Sequence, residues 1–121
     1  MQENYQDLST CHAWVSDLFR QPATAAEWDQ YRLSAEQVAF FKENGYVSNI
    51  PLLTAEQVDV LNKELAEIAE PTHPGHALFY EFHSNESSDP DAVLFHALGA
   101  WRITEAFHDV LRNPAFVMAA H

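Results

Sequence analysis

Seven histidines and a single cysteine carry most of the chemistry this sequence could perform. His73-Pro74-Gly75-His76, followed by His83 and Glu86, is the stretch with metal-ligand content. A loop that folds back there could join imidazoles at His-x2-His spacing with a carboxylate, the donor types of a zinc site. Such sites depend on three or four ligands held by oriented neighbours, so the stretch reads first as a solvated loop or one contributing to substrate entry. His96 and His108 sit beside Phe95 and Phe107, the setting of histidines at a core margin bonded to backbone. Cys11 stands alone, so no internal disulfide forms, and it reads as a part-buried bystander. There is no Gly-rich phosphate loop and no Ser-based nucleophile motif, which leaves kinase and hydrolase readings without support.

The elements that must position these residues are read from periodicity and caps. Leu33-Ser34-Ala35-Glu36-Gln37-Val38 returns as Leu53-Thr54-Ala55-Glu56-Gln57-Val58. Each phrase opens a helix: Ser34 and Thr54 cap free N–H groups, Gln37 and Gln57 complete capping boxes, and Leu33 and Leu53 serve as staples. The first helix runs through Phe41 to a stop at Gly45; the second shows a stripe of Val58, Leu61, Leu65 and Ile68 and ends before Pro71. Residues 8–20 have helical spacing and predict a short amphipathic helix, with 21–33 as an arm pinned by Trp28 and Tyr31. Tyr46 to Pro51 predicts a short strand, and Leu78 to Phe82 a partner strand or hairpin arm. Asp89-Pro90 predicts another helix, up to Gly99, then a helix over Thr104 to Leu111 and a last turn after Pro114. Trp101 and Arg102 join two helices, with the guanidinium placed to stack on an aromatic ring. Asp59 with Lys63, and Asp109 with Arg112, read as ion pairs on solvated helix faces.

The resulting fold class is mainly α with a minor β component (α+β). It forms a single unit over 1–121: 1–32 an N-terminal helix and arm, 33–70 helix-strand-helix, 71–91 a loop with a short strand, 92–121 a helical segment. Formal charge is −12, with nine acids against three bases in each of 1–60 and 61–121. That field repels phosphates, so no nucleic acid partner is expected. Neither a membrane-length apolar run nor a basic-then-apolar leader in Met1 to Asp7 is present; no membrane partner and a cytoplasmic address are expected.

LSAEQVAFFKENGYV, then IPLLTAEQVDVLNKEL, then LFHALGAWRITEAFHDVLRNPAFV resembles, in that order, the amino-terminal portion of the phytanoyl-CoA dioxygenase (PhyH-like) family, over roughly residues 33–118. The resemblance implies a parent oxygenase on a jelly roll (double-stranded β-helix) that uses Fe(II) and 2-oxoglutarate on a small-molecule or acyl-type substrate. Two histidines and a carboxylate on one face would hold the iron and leave open positions. The family's carboxylate motif is His-x-Asp. Two residues after His12, His73, His76, His83, His96 and His108 stand Trp14, Gly75, Leu78, Asn85, Leu98 and Val110, and His121 is terminal. No catalytic residue and no oxoacid-binding arginine therefore carries over.

With two strand-like segments against the eight of a jelly roll, the barrel is largely missing. Together with the apolar run that ends at His121, this points to a non-catalytic fragment of a longer enzyme, with no cofactor expected for this chain alone and self-association expected through exposed apolar surface. Two rivals stand beside it. One is a stand-alone acidic helical interaction module, the other a metal-binding loop domain around His73, His76 and His83.

Overall fold

The computed structural model describes residues 5–121; Met1 to Asn4, which begin the opening stretch read for a leader, lie outside the described residues. Helices predominate: α1 (Ala25–Asp29), α2 (Ala35–Asn44), α3 (Ala55–Ala69), α4 (Glu105–Val110) and α5 (Pro114–Ala120). Short 3-10 turns cover Leu8–Thr10, Pro74–Leu78 and Ala100–Arg102, and two strands, β1 (Glu81–His83) and β2 (His96–Leu98), form an antiparallel pair. The α+β class is observed.

Both capping boxes form. Ser34 Oγ accepts from Gln37 N at 3.1 Å while Gln37 Oε1 accepts from Ser34 N at 2.8 Å. Thr54 and Gln57 repeat the exchange at 3.3 and 2.9 Å. Gly45 ends α2 at φ 79°, a left-handed conformation that suits glycine. α3 turns Ile68 fully inward, and burying that side chain contributes on the order of 2 kcal/mol.

The core lies where α4 packs on α3 and on the turns Leu8–Thr10 and Ala100–Arg102. Leu8, Phe19, Ile68, Ile103, Ala106 and Ala115 are buried there, with Thr104, His108, Asp109 and Asn113 as buried polar partners. The N-terminus of α4 is capped from another helix: Glu64 of α3 accepts from Ala106 N at 3.0 Å and Phe107 N at 3.4 Å. A carboxylate suits the positive end of the helix dipole.

Three predicted elements are replaced. Residues 8–20 are not a helix beyond the turn Leu8–Thr10, because Val15 N and Ser16 N donate to the Asp109 carboxylate at 3.0 and 2.8 Å instead of to carbonyls four residues back. Asp7 caps that turn. Tyr46 to Pro51 is irregular: Asn49 takes φ 61°, which breaks an extended run, and the candidate partner segment pairs elsewhere. The predicted helix from Pro90 to Gly99 is a turn followed by β2. Asp89 Oδ1 accepts from Asp91 N at 2.9 Å, Asn85 Oδ1 from Ser87 N and Leu94 N at 2.9 and 3.0 Å, and Glu86 N donates to Leu94 O at 2.8 Å. These bonds close a hairpin with His83 opposite His96 and Glu81 opposite Leu98. The arm 21–33 contains α1, capped by Thr24.

Candidate functional site

Three polar constellations emerge: one buried, one part-buried and one exposed. The buried one ties the N-terminal segment to α4. Asp109, fully buried, accepts from Ser16 Oγ at 2.6 Å and bonds His108 Nδ1 at 2.8 Å. His108, also fully buried, places Nε2 3.1 Å from Cys11 O, to which Arg112 also donates at 3.3 Å. The histidine is thus a core histidine bonded to backbone, as expected. Asp109 and Arg112 are not the surface pair read from their spacing: each reaches back across the chain to residues 11–16. Among the described residues no ion pair joins Asp59 and Lys63 either; the Arg and Lys bridges formed are Arg20–Glu27, Arg32–Asp29 and Arg102–Asp7.

Serine, aspartate and histidine together invite a nucleophilic reading, and the connectivity excludes it. A triad routes the serine proton to the imidazole, with the carboxylate behind it. Here Ser16 donates to the carboxylate, and the imidazole's remaining nitrogen faces a carbonyl in the interior. Burial pushes the Asp109 carboxyl up, but hydrogen bonds from Ser16, His108 and the N–H of Val15 outweigh it and hold the group below the ordinary carboxylate value. The constellation is an electrostatic clasp.

A second clasp is Arg102. Its guanidinium donates to Asp7 at 2.6 Å and Leu78 O at 2.8 Å and lies 4.6 Å from the Tyr80 ring centroid. The stacking partner is Tyr80. Hydrogen bonds from Arg102 and Ser9 hold Asp7 well below the usual carboxylate range.

The exposed constellation is the outer face of the hairpin. His83 Nε2 lies 2.9 Å from Glu81 Oε1 and His96 Nδ1 3.1 Å from Glu86 Oε2, with the two imidazole centroids 5.9 Å apart across the strands. One donor atom each from Glu81, Glu86 and His96 lie within 4.8 Å of one another. Of the three histidines singled out in sequence, His83 alone belongs to this face. His73 Nδ1 accepts from Gly75 N at 3.0 Å and His76 Nε2 bonds Ile68 O at 2.9 Å, so both brace the turn Pro74–Leu78. His96, read from sequence as a core-margin histidine bonded to backbone, instead bonds the Glu86 carboxylate on this face, because cross-strand register sets it opposite His83.

These residues do not fit the iron and 2-oxoglutarate that the family resemblance implies. The converging set is one imidazole with two carboxylates on an open hairpin, the His-x-Asp pairing is absent, and Arg102 is committed to Asp7. No family model matches the chain, and no curated protein matches it. No helix of the described residues is long and apolar enough to cross a membrane.

Proposed function

We propose that this chain is the helical amino-terminal portion of an Fe(II)/2-oxoglutarate-dependent oxygenase of the phytanoyl-CoA dioxygenase type, non-catalytic by itself. Its helices buttress a barrel, carried on further polypeptide, that acts on a small-molecule or acyl-type substrate. One observation carries the reading: α2 buries none of its residues, yet it presents Val38, Phe40 and Phe41 to solvent at 38%, 42% and 51% exposure. A helix with apolar side chains so exposed is one whose packing partner lies elsewhere. Tyr46, Val93, Leu94 and Phe116 are exposed as well.

The rival interaction module is favoured by the clasps. Ser16–Asp109 and Asp7–Arg102 join residues 93 and 95 positions apart, tertiary bonds that a self-sufficient domain would have.

Anaerobic titration with Fe(II) and 2-oxoglutarate, combined with sedimentation, tests the proposal. We expect no charge-transfer band from a chelated oxoacid, and concentration-dependent self-association that Phe41→Glu reduces. A saturable band would overturn the non-catalytic reading. A monomer that unfolds in one cooperative step, indifferent to Phe41→Glu, would favour the module.

A further inference from the structure

The hairpin's outer face is built from both strands and the loop between them. Side chains alternate along a strand, so Glu81 and His83 share one face and Phe82 takes the other. Phe82 anchors that other face, its ring centroid 4.4 Å from His76, 5.1 Å from Phe79 and 5.5 Å from Phe95. The polar face is therefore held outward. His96 stands opposite His83, and Glu86 is brought alongside by its own N–H bond to Leu94 O and by Asn85, which bridges both ends of the loop.

We propose that Glu81, Glu86 and His96 bind a divalent transition-metal ion of the zinc type, with His83 orienting Glu81 through its 2.9 Å bond. The donor set argues for this class. Imidazole nitrogen with carboxylate oxygen is a zinc-type combination, and three protein ligands leave a fourth position for water. Calcium and magnesium, which seek six or more oxygens, match it poorly. Ligands about 2.0–2.1 Å from a tetrahedral ion lie about 3.4 Å from one another. Donor atoms already within 4.8 Å need side-chain adjustments of about an ångström, which exposed glutamates make readily. Charge agrees: among the described residues no lysine or arginine pairs with Glu81 or Glu86, and the chain's net charge of −12 gathers cations. His83 acts as the outer partner that fixes a ligating carboxylate, a role usual around bound metals.

Titration of the full chain with Zn(II) by calorimetry, and with Co(II) by visible absorption, tests this. Expected are saturation at one equivalent, affinity lowered at least tenfold in His96→Ala and in Glu86→Gln, and a several-fold loss in His83→Ala. His12→Ala and His121→Ala, away from the hairpin, should bind as wild type. Because the substituted side chains face solvent, far-UV circular dichroism should be unchanged in every variant. NMR supplies a readout on the unmodified chain: the His96 ring resonances should shift as Zn(II) is added. Failure of the wild type to saturate, or binding unaltered by His96→Ala and Glu86→Gln, would overturn the proposal. So would equal affinity for Ca(II).

Discussion

The Ser16 hydroxyl donates to Asp109 Oδ2 at 2.6 Å, and the Ser16 N–H donates to the same oxygen at 2.8 Å. One buried carboxylate on α4 thereby takes over the donors of a segment that would otherwise coil into a helix. Substituting Asp109 by Asn places an amide where N–H and O–H donors converge. Breaking a buried charge network of this kind costs about 3 kcal/mol. Ser16→Ala should cost about 1–2 kcal/mol, because the backbone donors remain. Urea denaturation midpoints check both, with the serine variant expected between wild type and Asp109→Asn.

Acid should weaken the fold through Asp7 and Asp109 together. Both carboxyls are held below their ordinary value in the folded chain, Asp7 by Arg102 and Ser9, Asp109 by Ser16, His108 and Val15. As pH falls, the unfolded chain takes up these protons first. The stabilisation is therefore complete above the unfolded carboxyl value of about 4 and is lost as pH drops through the lower folded values. Denaturant midpoints measured from neutrality to pH 2 should fall in that window, and the fall should be shallower in Asp109→Asn.

Two glycines should respond differently to alanine. A Cβ at Gly75 would lie 2.5 Å from Cγ2 of the buried Ile103, and overpacking of this kind costs about 1–3 kcal/mol. At Gly45 a Cβ meets nothing within 4 Å, but φ 79° is strained for alanine and costs about 1 kcal/mol. Thermal unfolding should rank Gly75→Ala below Gly45→Ala.

The caps give a local and a global readout. Ser34→Ala and Thr54→Ala each remove an N-cap acceptor worth about 1 kcal/mol. Because α2 buries no residue, Ser34→Ala should show as faster amide exchange in the first turn of α2 with little change in the midpoint. α3 carries Ile68, and Gln57 also donates to Leu18 O at 2.9 Å, so Thr54→Ala should lower the midpoint of the whole chain.

What the sequence determined by itself is local. Ser34 with Gln37, Thr54 with Gln57, and Gly45 at its stop act within one turn of backbone, so their spacing alone predicts the helices they bound. The class, helices with a small β component, follows from the same signals. Tertiary structure decided the rest, wherever a backbone group had a distant alternative. Residues 8–20 carry helical spacing, but Val15 and Ser16 give their N–H groups to Asp109. Residues 90–99 carry a helix start, but the hairpin claims 96–98. Thr104 stands at a cap position without making a cap bond, while Glu64 from α3 does that work. The candidate site followed the same rule. His83 and Glu86 were visible as spaced ligands, and Glu81 lies in the same short stretch, whereas His96 joined them only through strand register, a relation between residues that no short window of sequence contains.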